Sequence, residues 1–399
     1  MYQNCMLKAY RISLAFSGLI VLTGLMSIDF ISPSLPYIKN DFDTSQAILK
    51  NSVLIYMLIL GIFQLPYGFL SDRYGRKKLI LISLSITILG VLISAFAQGI
   101  ISFYVGRIIT AIGSAGCPVI SRSIVADISH NPKRLKKSFS LYALASQISP
   151  CIAPVLGAFI QSVSSWRFSL VTLMLINVVV FLLIFIAMPE TSRNQKYKID
   201  YKSTLRKYIF FFKDKYFFIM SLLSALFYTY SIGFYNMLPF VLHNQGVPVI
   251  TNGYINSIYA ISLATGAFSL QRIFYKYSSE KSFSLILKLY LLHFVIFILV
   301  FNFYQNTLAI IFFGAGTALL CGIIAPLTLS MCMQGFKSDK GIASAVQSSI
   351  KMFFTGVGLI TFSYIHLTNM IQIAFIFILL GTLAIVLWIL AKKSMPINN

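Results

Sequence analysis

The sequence predicts an all-α membrane protein: twelve transmembrane helices in two pseudo-symmetric six-helix halves. Three observations predict it. Long apolar runs recur along the whole chain, and roughly eighteen or more apolar residues suffice to cross a bilayer as a helix. Only 11% of the 399 residues are charged and 58% are hydrophobic, whereas soluble domains carry about 25% charged residues. Lys and Arg gather in short clusters between the apolar runs, and they do so in alternate loops.

The candidate spans are residues 10–37, 46–70, 79–97, 102–127, 138–161, 168–188, 217–243, 252–273, 283–303, 307–333, 342–366 and 371–391. They lack the two-residue alternation of a barrel, so helices must satisfy their backbone groups in lipid. Loops after even-numbered spans carry Arg73, Arg76, Lys77 and Lys78, then Lys133, Arg134, Lys136 and Lys137, then Lys276 and Lys281, then Lys337 and Lys340. Loops after odd-numbered spans hold few cations beyond Lys39 and Arg167. Basic loops stay inside the cell, so both termini are expected in the cytoplasm. Lys8 and Arg11 mark one end, Lys392 and Lys393 the other. The first apolar run continues through Asp29 and two prolines, so no cleavable leader is expected there.

The longest connection, 189–216, is polar and basic. It divides the chain into a first six-helix bundle at 1–188, a cytoplasmic linker at 189–216 and a second bundle at 217–399. The linker reads as solvated chain, or as an amphipathic stretch on an anionic leaflet, because YIFFF at 208–212 sits among lysines. An internal echo supports two halves. GFLSDRYGRKK at 68–78 follows span 2 as GAFSLQRIFYKYSSEK follows span 8, 198 residues later. Two six-span repeats commonly hold a binding site between them at the midplane.

The composition also excludes. The net charge of +22 is spread over short loops, with no basic domain face or stacking motif for nucleic acid. Four of the five cysteines lie in apolar runs and none forms a C-x-x-C pair, which suits packing and not metal or disulfide. No phosphate-binding G-x-x-x-x-G-K-[ST] loop occurs. The histidines His130, His243, His293 and His366 are scattered, and none has an acid five residues on. The expectation is therefore no enzyme, no metal and no cofactor.

Asp29 is the sharpest single signal. It lies in SIDFISPSLPYI and is the one acid before Asp41. A carboxylate inside a membrane marks a proton, ion or substrate site by default. The alternative is a solvated Asp near the outer interface, or a cap on a break before Pro33. Arg107, in YVGRIITAIGSAG, needs a partner or a water-filled cavity. It is the candidate to tune Asp29 or orient substrate, or else a snorkelling interfacial Arg. Arg122 and Asp127, in SRSIVAD, are expected to join Asp72 and Arg73 in an inner charge cluster, or to be plain surface charges. Gly68, Gly75 and Arg76 complete the loop motif. Pro150, Pro154 and Gly157, in SPCIAPVLGAFI, suit close packing and bending. Pro239 and Pro326 are further kink candidates. Gln64, Tyr230, Tyr235, Asn236 and Gln347 are polar groups in apolar runs, either cavity lining or glue between helices.

Together these residues resemble the drug:proton antiporters of the major facilitator superfamily, and more narrowly the Bcr/CflA group. The loop G-x-x-x-D-R-x-G-R-K-K resembles the superfamily signature. DFISPSLPYI at Asp29, QLPYGFLSDRYGRKKLIL at Gln64, ISRSIVAD, APVLGAF with SWRF at Trp166, and LPFVLHNQGV resemble the subgroup. The resemblance covers the first half well and the second thinly. It implies the major facilitator fold, alternating access between the halves, and export of small amphipathic compounds in exchange for protons carried by Asp29. It also implies that the proline- and glycine-rich segment of span 5 seals the outer interface. The partners implied are the lipid bilayer, a small-molecule substrate and protons, with a monomer as the unit and a bacterial inner membrane as the site. The sequence departs from the family in two places. Arg107 is followed by Thr110 and Ala111 where R-x-x-Q-G is usual, and no acid precedes Asp29 in span 1. A dedicated metabolite or siderophore transporter, exporting or importing, would share the architecture. A membrane receptor would need appended soluble domains.

Overall fold

The computed structural model describes residues 2–129, 132–192, 201–274, 279–303, 307–333, 340–363 and 370–394. Lys276, Lys337, His130 and His366 lie outside these residues, and of Tyr235 only the backbone is described. Every regular element among them is helical. Span 1 is Tyr2–Asp29, a 3₁₀ turn Ser32–Ser34, and a short helix Leu35–Asp41. Pro33 and Pro36 supply no N–H at the join, so the α-ladder loses bonds there and the helix breaks. Span 2 is Gln46–Tyr74, opened by the Ser45 hydroxyl, which accepts from the Ile48 amide at 3.2 Å. Span 3 is Arg76–Ala95, and span 4 is Ile100–Ser114 continued by Gly116–Ile128. Span 5 is Pro132–Val163 and span 6 is Trp166–Ala187. Spans 7 to 12 are Lys215–Asn244, Val249–Phe274, Ser279–Phe303, Thr307–Met333, Lys340–Ser363 and Met370–Lys393.

Ten of these are long and apolar enough to cross a membrane. The other two, spans 8 and 11, are richer in polar residues, and they turn them inward. Asn252 and Asn256 of span 8 and Gln347, Ser348 and Ser349 of span 11 are all buried. The packing explains why. Span 11 lies along span 2, span 8 lies along span 5, span 5 also packs on span 1, and span 7 packs on span 11. Spans 3, 6, 9 and 12 sit outside this set, span 3 against spans 4 and 6, span 9 against spans 10 and 12. They leave large apolar side chains such as Phe185, Ile186, Leu299 and Leu379 exposed, as helices facing lipid must.

Two expectations are corrected. The 68–78 stretch is not a loop several residues long. Span 2 stays helical through Asp72, Arg73 and Tyr74, and Gly75 alone makes the connection, at φ 93°. That conformation favours glycine because any Cβ would be strained there. The linker is not wholly solvated chain either. Tyr201–Lys213 is a helix that rests Tyr208 and Phe211 on the bundle. The Tyr208 hydroxyl donates to the Leu65 carbonyl at 3.3 Å, and Phe211 meets Phe217 at 5.2 Å between ring centroids. Burial pushes the Tyr208 hydroxyl up to about 12, so it remains a donor across the physiological range. The helix's far side exposes Leu205, Ile209, Phe210 and Phe212.

Candidate functional site

The two ends of the bundle are distinguished by Gly75 at one and Tyr37 at the other. Asp29 ends the first helix of span 1, within the half nearer Tyr37. It is 8% exposed, and its carboxylate makes no hydrogen bond or ion pair with any described residue. It lies within electrostatic reach of Tyr56 on span 2 and Tyr228 on span 7. A buried carboxylate is normally hydrogen-bonded or paired. Asp29 is neither among the described residues, and it keeps a small accessible face.

Arg107 does not pair with Asp29. Its Nη1 donates to the Ser27 carbonyl at 3.0 Å, two residues before Asp29, and its guanidinium lies 4.3 Å from the Tyr56 ring centroid. At 2% exposure it is no snorkelling residue. It holds the backbone where span 1 breaks, and its Nε and Nη2 remain buried without partners. Gln64 is fully buried with both amide atoms unpartnered. Gln347 is buried with its Nε2 unpartnered, and Asn236 is buried in span 7. Tyr230, expected to line the cavity, does not. It is fully enclosed by the rings of Phe227, Tyr290, Phe294 and Phe377, and its hydroxyl donates to the Phe377 carbonyl at 3.4 Å. Its face of span 7 points into the second half, away from the spans of the first.

Lys351 on span 11 escaped the sequence reading, although it is the only charged residue between Gly341 and Ser363. That isolation was the available signal, because a lone lysine in an apolar span is costly. Its Nζ sits 4.6 Å from the Tyr228 ring centroid, a cation–π contact. Both side chains are partly accessible. Tyr228 touches Lys351 and lies within electrostatic reach of Asp29.

At the Gly75 end, the expected charge cluster forms around a different residue. Arg76 is its centre, 6% exposed, paired with Asp72 at 2.5 Å and Asp127 at 2.9 Å. Its backbone amide and that of Lys77 donate to the two carboxylate oxygens of Glu190, at 2.9 and 3.0 Å. An acid at the N-terminus of span 3 meets the helix dipole and two free N–H groups together. Arg73 stacks on Tyr74 at 5.1 Å. Arg122 is not in the cluster. It reaches across to span 11, where Nη1 donates to Ser344 at 3.1 Å and Nη2 to Ser348 at 2.9 Å. Arg76→Met is expected to destabilise the protein by about 1–2 kcal/mol. A fully buried pair would lose about 3–5 kcal/mol, but the Asp72 side chain is 56% exposed and the Asp127 side chain 23%, so water offsets part of the loss. Thermal unfolding in detergent measures this. Arg76→Lys should recover only part, since an ammonium cannot reproduce the guanidinium fork.

At the Tyr37 end, spans 1, 5, 7 and 8 close together. Gly157 of span 5 lies so close to span 1 that a Cβ would stand 2.0 Å from the Phe30 carbonyl oxygen. The helix runs through Pro150 and Pro154, and a Cβ on Gly253 of span 8 would be 3.2 Å from the Pro154 carbonyl. Tyr37 meets His243 edge-on at 5.3 Å. The cleft between Pro33, Tyr37, Pro239 and His243 has a volume of only about 10 Å³, room for one water at most. Gly68, at the other end, faces the Tyr208 hydroxyl, which a Cβ would approach to 3.3 Å.

The model of the Major Facilitator Superfamily matches residues 15–359. The chain belongs to this superfamily. Solved superfamily members share its shape. A D-xylose–proton symporter superposes with a TM-score of 0.79 over 97% of this chain and 98% of its own, at 15% identity. A bacterial homologue of the human lysosomal transporter Spinster, inward-facing and unoccupied, gives 0.71 over 97% of each chain, also at 15% identity. These likenesses establish the major facilitator fold, in which twelve helices form two six-helix halves. Among curated relatives, the multidrug resistance protein MdtL of Shewanella is 27% identical over 94% of this chain and 93% of its own. Multidrug resistance protein D of Escherichia coli is 26% identical over 37% of this chain and 38% of its own. The antiporter QDR3 of Candida albicans is 30% identical over 43% of this chain and 24% of its own. The chain spans less than half the length of the last two in these matches. As a superfamily member it is a multi-pass membrane protein, and two of these relatives are named for multidrug resistance.

Proposed function

We propose that this chain is a proton-coupled exporter of small amphipathic organic compounds, working by alternating access, with Asp29 as the proton carrier. The observation that carries the reading is the Asp29 carboxylate, buried within span 1 and without a partner among the described residues. A group so placed is stabilised by a proton and can release it when substrate arrives. Arg107 positions the span 1 break that presents Asp29. The Gly75 end is cytoplasmic, because that end carries the basic loops, and both termini lie there in a bacterial inner membrane. On this reading the unit is a monomer without a cofactor, because each chain would hold a complete translocation path. The halves are 1–188 and 217–399, joined by the cytoplasmic linker. The Arg76 cluster and the Arg122 bonds to span 11 hold the Gly75 end, the Gly157 contact holds the Tyr37 end, and transport requires each to open in turn. The membrane potential supplies about 2.3 kcal/mol per charge per 100 mV, enough for one proton to drive a modest gradient of a neutral solute.

The test is proton release from energised inside-out vesicles, read with a pH dye as dyes, antibiotics and siderophores are added. Compound-triggered release that empty vesicles lack supports exchange. Uptake into whole cells without release from vesicles overturns export and favours an importer.

A further inference from the structure

The interior carries more positive charge than its single acid can balance. Among the described residues, Asp29 shares it with Lys50, Arg107, Arg122 and Lys351, and these five lie on spans 1, 2, 4, 4 and 11 respectively. Lys50 sits over the Phe240 ring at 5.8 Å. Arg107 is committed to the Ser27 carbonyl and the Tyr56 ring. The other two cations approach each other across the interface between the halves, near enough for Arg122 to repel Lys351. No carboxylate of a described residue lies within 4.0 Å of either. Arg122 is held by neutral groups only, the Pro118 carbonyl and the hydroxyls of Ser344 and Ser348. Lys351 has only the face of Tyr228.

Gln347 stands one helical turn from Lys351, on the same face of span 11. Its Nε2 is buried with no acceptor. A lysine ammonium, an unused amide donor and a nearby guanidinium therefore share one interior region, and no described side chain supplies the anion they would attract. Two like charges out of water without a counter-ion are costly. Charged groups inside a membrane protein face one another or a pathway.

We infer that Lys351, with Gln347 and Arg122, forms a subsite for an acidic group on the transported compound, so that the favoured substrates are organic acids or zwitterions with an apolar body. The carboxylate, phosphonate or sulfonate of such a compound takes the ammonium and amide donors. Its apolar part lies along Tyr228 toward Asp29. A second, basic group, where present, lies nearer Asp29. Strongly cationic compounds are disfavoured, because Lys351 and Arg122 repel them. The inference rests on the transporter reading but not on Asp29 being the proton carrier.

The test is ligand-induced thermal stabilisation of the purified full-length protein in detergent. The probes are benzoate, 1-naphthoate and biphenyl-4-carboxylate, each beside its uncharged primary amide. At least one acid is expected to bind about tenfold or more tightly than its amide, as one charge-assisted bond provides. Lys351→Met should abolish that difference, and Lys351→Arg should keep most of it. Without ligand, Lys351→Met should unfold at a higher temperature than the wild type, because it removes an uncompensated charge. A lysine held by a structural partner would give the opposite shift. Acids that bind no better than their amides, or a preference that persists in Lys351→Met, overturn the inference. If Lys351→Met does not fold, it is equally overturned when Lys351→Arg and the wild type show no preference for any acid. Asp29→Asn separates the two readings. Loss of proton exchange with the acid preference intact leaves the subsite standing. Loss of the preference with proton exchange intact removes the subsite and leaves the exporter.

Discussion

Asp29→Asn is expected to abolish compound-triggered proton release and leave the protein folded. Asparagine matches aspartate in shape and cannot carry a proton at this position. The Asp29 carboxylate has no hydrogen bond or ion pair among the described residues to lose, so thermal unfolding should change little. Arg107 binds the Ser27 carbonyl and the Tyr56 ring, not the carboxylate, and the break in span 1 should persist. Binding of a substrate is retained and its coupling to protons is lost. Vesicles measure coupling, and detergent-purified protein measures binding and stability. Equal proton release in wild type and variant would assign the proton to another group. A large fall in stability would make Asp29 a structural residue instead.

Gly157→Val is expected to lower transport by about tenfold or more while substrate binding survives. The carbonyl of Phe30 occupies the place of any side chain at 157, at 2.0 Å from an added Cβ. A backbone oxygen cannot turn aside as a flexible side chain can, so span 5 must draw back from span 1. Overpacking of this kind costs about 1–3 kcal/mol, and here it falls on one state. The Tyr37 end could no longer close, because the Tyr37–His243 contact and the span 5–span 8 contact belong to the same seam. A cysteine introduced at Tyr37 should label faster with a membrane-impermeant maleimide when combined with Gly157→Val. Gly157→Ala should show a weaker form of both effects. Unchanged labelling with normal transport would dismiss the role of this contact.

Several features were legible from the chain alone, and each rested on a local cost. Lipid tolerates neither open backbone nor stray charge, so span positions, basic loops and the isolation of Asp29 could be read residue by residue. The same cost marks Lys50 in span 2 and Lys351 in span 11 as isolated charges. Other features had no local signal. Tyr230 and Tyr228 are both tyrosines of span 7, two residues apart. One is locked among Tyr290, Phe294 and Phe377, and the other borders the interior beside Lys351. Two residues turn a helix by about 200°, and only the neighbours decide which face is which. Arg122 was expected beside Asp127, five residues away, but its bonds run to Ser344 and Ser348, more than two hundred residues on. Glu190 looked like a linker residue, yet it receives the first amides of span 3.

Class, spans and the lone acid within them follow from composition and order, because transfer from water to lipid has a cost for each residue. Which polar groups meet, which are sealed in aromatic packing and which charges have no partner among the described residues follow from the packing of the helices. Those depend on how helices distant in sequence are turned toward one another, and no single segment contains that information.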